Sequence, residues 1–289
     1  MLVVLDVRKD ELHSFMQKLK AIFCPYEINA DIITQNDIAV LHIRYKQRRG
    51  SIRFNKIYKY TIGASKTILC DDNLSLAETP FTRFESDEFN IQMMKNFIFC
   101  ILKSADIPPS ELKISFFDPT AEYPLFAEKL LNYTSCLTVV SNMPKFYENE
   151  SERHLNELGV STIVSNSTEK LTPCDILICP SKIKVHLPTT TSSLIFTSHK
   201  PLVNVSGTVI TRYIPEFPVK FKEIKPECVD DFYFLSALYT LCGITELEKL
   251  NPQKCECDTA QFSVEQTVKR IKTNCTAYSL EKQKEVCSE

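Results

Sequence analysis

The sequence predicts an α/β protein: a small N-terminal α+β domain over residues 1–107, a mostly parallel, three-layer α/β domain over 111–243, and a polar helical tail over 244–289. Three observations predict it. The stretch Leu112–Asn142 reads as a buried strand, a turn, a helix and a second buried strand, and this alternation continues to about residue 210, the pattern of a parallel sheet. The first 107 residues instead place alternating strands between two helical stripes. A chain of 289 residues with 44 % hydrophobic content is long enough for about two domains of roughly 100–200 residues, each with its own core.

In order, Leu2–Val7 reads as a buried strand. Leu12, Phe15, Met16, Leu19 and Phe23 form a helical stripe that Cys24-Pro25 ends. Ala39–Lys46 alternates as a strand. Ile52, Phe54, Tyr58 and Tyr60 share one parity and predict a second strand, joined to the first by a turn at Gln47-Arg48-Arg49-Gly50. Thr67–Cys70 adds a short strand and residues 71–86 a polar, acidic loop. Ser86, Asp87 and Glu88 suit a helix start, because a serine cap and early acids satisfy and complement its free N–H groups; Pro108-Pro109 closes that helix. Beyond Glu111 come strands at Ile114–Phe117, Leu137–Ser141, Ser161–Ser165, Asp175–Cys179 and Ser193–Thr197, with extensions at Leu202–Val205 and Thr208–Ile210. Helices are expected at Pro124–Asn132, at Tyr147–Leu158 before Gly159, and at Val229–Leu241 before Gly243.

Composition excludes several classes. A net charge of −2 gives no overall attraction to nucleic acid or anionic membrane. No run reaches the ~20 apolar residues of a membrane span, and the N-terminus lacks the basic start and long apolar run of a signal peptide. A cytoplasmic location and no membrane partner are therefore expected. Twelve cysteines are many, but Cys100, Cys136, Cys179 and Cys242 lie in apolar runs and read as small buried hydrophobes.

The turn after Phe117 runs Asp118, Pro119, Thr120, Ala121, Glu122, Tyr123, Pro124. A dinucleotide-binding turn uses glycines so that the backbone can approach the pyrophosphate. Here two carboxylates repel it and two prolines offer no N–H. The five glycines of the chain are scattered, so no glycine-rich phosphate loop stands elsewhere. Cofactor: none is the expectation, with NAD or NADP as the alternative.

The segment Pro173-Cys-Asp-Ile-Leu-Ile-Cys-Pro180 resembles the strand of an aspartate, three apolar residues and a small turn in the NAD(P)-binding domains of the shikimate dehydrogenase and glutamyl-tRNA reductase families. Leu137-Thr-Val-Val-Ser-Asn142 is similar to their second strand. The resemblance spans about residues 111–220 and implies a Rossmann-like domain. It implies that Asn142, with Lys145 nearby, meets the adenosine ribose or its phosphate. Open α/β sheets place ligands at the carboxyl ends of their strands, so Asp118, Thr120, Asn142, Lys145 and Ser181 are the candidate cofactor-binding residues, with the polar loop 181–193 beside them.

Other patterns offer chemistry. Arg48, Arg49 and Arg53 head a basic stretch over residues 44–60 interleaved with Tyr45, Phe54, Tyr58 and Tyr60, which suits an anion or single-stranded nucleic acid. Asp118, Thr197-Ser198, Lys200 and Asp230-Asp231 invite a phosphotransferase reading, but Thr120 stands where a second aspartate is needed and Asp230-Asp231 suit a helix start. Cys255 and Cys257, with Cys275 and Cys287, are one residue apart where structural zinc usually shows two between paired cysteines. No two histidines have ligand spacing, so no metal is expected, and no catalytic residue is assigned. The expected function is non-catalytic binding or assembly with a protein partner or small-molecule ligand. The alternatives are an NAD(P)-dependent oxidoreductase with a divergent cofactor loop, and nucleic-acid or anion binding through 44–60.

Overall fold

The computed structural model describes residues 1–258 and 260–286, with side chains described except at 150, 158 and 276–286. In chain order the elements are β1 (Leu2–Lys9), α1 (Phe15–Phe23), β2 (Tyr26–Gln35), β3 (Ile38–Gln47), α2 (Phe54–Tyr58), β4 (Thr67–Ile68), β5 (Thr82–Arg83) and α3 (Glu88–Ala105). They continue with β6 (Ile114–Phe117), α4 (Pro124–Leu130), β7 (Cys136–Val140), α5 (Lys145–Leu158), β8 (Ser161–Ser165), β9 (Ile176–Cys179), β10 (Leu194–Thr197) and β11 (Thr208–Pro215). The last are α6 (Asp231–Cys242), β12 (Pro252–Cys257), β13 (Ala260–Ser263) and α7 (Val264–Val286). The fold is α/β. The chain groups into two units that are discontinuous in sequence: Met1–Phe89 with Phe217–Leu247, and Asn90–Glu216 with Glu248–Glu289. Segment 217–243, expected in the second domain, groups with the first unit, as do residues 244–247 of the expected tail; residues 90–107, expected in the first domain, group with the second, as does the rest of the tail.

The first unit is built on the sheet β1-β3-β2. β1 and β3 run parallel, while β2 and β3 form an antiparallel hairpin. Its turn is Asn36-Asp37, both at positive φ (50° and 63°), as a tight hairpin turn requires and as Asn and Asp tolerate. The expected hairpin was one strand out of place: residues 52–60 hold α2 and a 3-10 turn, not a strand. Ile57 is buried, and Phe54 and Tyr58 pack against the same core. Positions 54, 57 and 58 fit one helical face as well as 54, 58 and 60 fit strand parity, and the run is too short for periodicity to decide. Val3, Leu5, Leu41, Ile43 and Tyr45 point to that core. Strand side chains alternate, so Asp6, Arg8, His42, Arg44 and Lys46 share the opposite face, where α6 lies against β1. α1 starts at Ser14, whose hydroxyl and Gln17 form a capping box. Its apolar stripe does not enter a core: Phe15, Met16 and Phe23 are each more than 70 % exposed and only Ala21 is buried.

The second unit carries an eight-stranded sheet of order β13-β12-β11-β10-β9-β6-β7-β8. Strands β6 to β11 are parallel, and β12 and β13 are antiparallel. Every residue of β6, β9 and β10 is buried, which is why each reads as an unbroken apolar run and not as an alternation. On one face Phe97 of α3 packs on Phe196 and Tyr213, and Phe126 of α4 meets Phe116 edge-on. On the other, Phe117, Leu177, Cys179 and Ile195 are covered by irregular chain, through Leu171, Ile183 and Leu187. The loop 181–193 is therefore anchored by two buried side chains. Residues 202–205 are not a strand, whereas β11 runs to Pro215. The tail expected to be helical supplies the hairpin β12–β13 as well as α7, with Cys255 opposite Tyr213. No helix among the described residues is long and apolar enough to cross a membrane.

Candidate functional site

The order β8-β7-β6-β9-β10-β11 is 3-2-1-4-5-6 when its strands are counted from β6. That is the doubly wound order in which the two halves leave the centre in opposite directions and open a crevice at the carboxyl ends of the first and fourth strands. Here that point lies between β6 and β9. Asp118 follows β6, Ser141-Asn142 follows β7, Ser181 follows β9, and Ser198-His199 follows β10.

Asp118 is fully buried and ties three of these segments together. Its Oδ2 accepts hydrogen bonds from the Tyr147 hydroxyl at 2.6 Å and the Tyr123 N–H at 2.8 Å, and its Oδ1 accepts from the Ser181 hydroxyl at 3.5 Å. Its own N–H donates to the Val140 carbonyl at 3.0 Å. Burial first, and then the neighbouring carboxylate, push the Tyr147 hydroxyl far up, so the phenol keeps its proton and stays a donor. The turn does hold a left-handed residue: Ala121, at φ 53°, stands where a glycine is the usual choice.

The five candidate residues are placed as follows. Asp118 and Ser181 meet directly. Thr120 lies exposed on the same turn, and the Asn142 N–H donates to the Pro119 carbonyl at 3.2 Å. Asn142 and Lys145 are both exposed, with Lys145 opening α5. Asp118 is thus a clamp facing inward, while Thr120, Asn142 and Lys145 are exposed and Ser181 is half-buried. Sequence reasoning missed Tyr147, because a tyrosine at the start of a polar helix carries no local mark of a buried carboxylate partner.

Within the basic stretch, Arg48 is 10 % exposed and pairs with Glu27 and with Asp10, while Arg49 and Arg53 are exposed, the Arg53 guanidinium lying over Tyr26. Tyr45 is buried in the core and Phe54 and Tyr58 pack on it, so these three offer no stacking platform, whereas Tyr60 is 48 % exposed. The phosphotransferase set is dispersed in role: Asp230 caps α6, Asp231 pairs with Lys225 at 3.0 Å, and Lys200 pairs with Asp258 at 3.7 Å. Ser198 is buried, its Oγ 2.8 Å from both the Pro180 carbonyl and His199 Nδ1. Every described cysteine is a free thiol, and of the four expected to be buried Cys179 is, while Cys100, Cys136 and Cys242 are partly so. Cys287 lies outside the described residues.

Burial raises several acids of this unit. Cys174 and Cys255 are pushed up to about 11 and Cys275 to about 12 from an ordinary 9.0, and Cys179 and Tyr213 rise well above their ordinary values. The folded state holds these protons while the unfolded chain releases them, so stability falls as pH rises through the unfolded values near 9.0 and 10.0. Urea midpoints measured from neutrality upward should hold steady to about pH 8 and then decline; a flat curve beyond pH 10 would contradict this burial.

No family model matches the chain, and no curated protein matches it. Among solved structures, quinate dehydrogenase from Corynebacterium glutamicum in complex with NAD aligns at 8 % identity and TM-score 0.29, over 68 % of this chain and 80 % of that one. Thermococcus litoralis Δ(1)-pyrroline-2-carboxylate reductase, in complex with NADH and L-proline, aligns at 11 % identity and TM-score 0.29, over 63 % of this chain and 61 % of its own. Both neighbours hold a nicotinamide dinucleotide, where the sequence led to the expectation of none for this chain.

Proposed function

We propose that the protein is an NAD(P)-dependent oxidoreductase whose second unit takes the dinucleotide across the crevice between β6 and β9. The observation that supports this reading is the strand order itself, 3-2-1-4-5-6 in parallel over β8 to β11. The loops at the strand ends supply fitting groups. Asn142 ends the second strand of the wound order, where an adenosine ribose is met, and its amide can bond hydroxyls. Lys145 stands three residues on with a charge for a phosphate. The hydroxyl of Thr120 takes the place of a missing glycine N–H group, and the pyrophosphate stays outside the Asp118 clamp, which holds the Ser181 hydroxyl.

The test is titration of the protein with NADH and NADPH, followed by nucleotide fluorescence and by melting temperature. Saturable binding with a raised melting temperature is expected. Asn142→Asp should favour NADH over NADPH by roughly tenfold, because a carboxylate accepts from both ribose hydroxyls and repels a 2′-phosphate. No response at millimolar nucleotide would overturn the proposal. A binding role without turnover is the second reading, favoured by one observation: Asp118 and Ser198 are both buried and engaged in internal hydrogen bonds. Nucleotide binding without hydride transfer to any carbonyl or imine substrate would select it.

A further inference from the structure

The first unit brings together three side chains that the sequence keeps far apart. Asp6 comes from β1, His42 from β3, and Cys228 from the segment that leads into α6. Parallel pairing sets Val4 beside His42 and Asp6 beside Arg44, so Asp6 and His42 lie diagonally on one face of the sheet, the face opposite the apolar core. Cys228 reaches that face from above. A carboxylate oxygen, an imidazole nitrogen and the thiol sulfur all lie within 4.8 Å of one another.

The separation of His42 Nε2 and Cys228 Sγ is 3.7 Å. With a zinc–sulfur bond of about 2.3 Å and a zinc–nitrogen bond of about 2.05 Å, the edge of a tetrahedron joining these two ligands is about 3.6 Å. The pair is therefore already at ligand spacing. The carboxylate is oriented by a neighbour, since Arg8 Nε donates to Asp6 Oδ2 at 2.8 Å; this outer contact holds a ligating carboxylate in place and leaves Oδ1 for the metal.

The cluster opens into a cavity of about 680 Å³ that Arg44, Lys46 and Lys225 also line. Those cations do not oppose a metal as free charges would. Arg44 pairs with Asp31, Lys46 with Asp10 at 3.3 Å, and Lys225 with Asp231 at 3.0 Å. A thiolate and a carboxylate together cancel the two charges of the ion. Three protein ligands leave a tetrahedral ion one position short, as in zinc sites that bind an exogenous ligand, and all three ligands line the cavity.

We propose that Asp6, His42 and Cys228 form a zinc-class metal site with one coordination position open to this cavity.

Cobalt(II) reports on such a site directly, because tetrahedral thiolate ligation gives intense visible bands and a thiolate-to-cobalt charge-transfer band. The full chain, stripped with chelator and kept reduced, is titrated with cobalt and then with zinc. One equivalent should produce both band sets, and one of zinc should bleach them. Cys228→Ser should abolish the charge-transfer band, and His42→Ala should weaken cobalt binding by more than about tenfold. Cys257→Ser, on β12, should change neither. Circular dichroism of each stripped variant checks the fold, and Cys228 is exposed, so its serine variant should fold as the parent does. Bands that persist in Cys228→Ser, or only the weak spectrum of six-coordinate cobalt, would overturn the proposal and leave the 3.7 Å contact as a thiol–imidazole hydrogen bond.

Discussion

Asp118→Ala should lower the unfolding free energy by about 3–5 kcal/mol. The carboxylate accepts from the Tyr147 hydroxyl, the Tyr123 N–H and the Ser181 hydroxyl, and it is fully buried. Its removal leaves a buried phenol and a half-buried backbone N–H without an acceptor, the first at a cost of roughly 1–3 kcal/mol and the second at less, and opens a small void besides. Tyr147→Phe removes one donor and leaves the carboxylate two, so it should cost only about 1–2 kcal/mol. A double-mutant cycle in urea should return a coupling of at least about 1 kcal/mol between the two sites. If the alanine variant is as stable as the parent, Asp118 is not the clamp described. The carboxylate would then be free to face a ligand, and the crevice would have to be rebuilt around it. Asp118→Asn keeps the shape and one acceptor oxygen, so it should fall between the two single variants.

Gly207→Ala should cost about 2–4 kcal/mol. Gly207 has φ 117°, which a side chain rarely adopts, and an added methyl would lie 2.5 Å from the Ser193 carbonyl oxygen and 3.0 Å from that of Thr190. Both are backbone atoms, and the Ser193 carbonyl accepts the Thr208 N–H at 2.9 Å, the bond that starts β11 beside β10. Neither can move without disturbing the parallel register, so strain and overpacking add. Gly50 is the control. Its φ is 77° but a methyl there meets nothing within 4 Å, so Gly50→Ala should cost only the left-handed penalty of about 1 kcal/mol. Equal losses at the two positions, measured by urea denaturation, would show that close approach at 207 is not what the glycine serves.

Much of the second unit could be read from local sequence. Ile114–Phe117 and the runs at 176–179 and 194–197 are strands as expected, because a parallel strand buried on both faces leaves an unbroken apolar run; the edge strand Ser161–Ser165 is also where it was expected, on its β-branched centre. The stop of α5 at Gly159 follows from its left-handed φ of 67°. The candidate residues Thr120, Asn142, Lys145 and Ser181 were read by the same route, from the ends of those strands. Short segments were not decided locally. Residues 54–58 satisfy two periodicities at once. Strands β12 and β13 pair locally as a hairpin, with Lys254 opposite Ser263, but they join the sheet because Cys255 finds Tyr213, a partner that no local window of sequence contains.

What the sequence alone determined is the class of the fold, its parallel sheet and where the loops at the carboxyl ends of its strands fall, because burial pattern is a local property of each strand. What only the tertiary structure decided is which side chains meet. Asp118 finds Tyr147 across 29 residues and His42 finds Cys228 across 186. Such meetings depend on strand order and register, which are set by the packing of the whole core and leave no mark on the residues that are brought together.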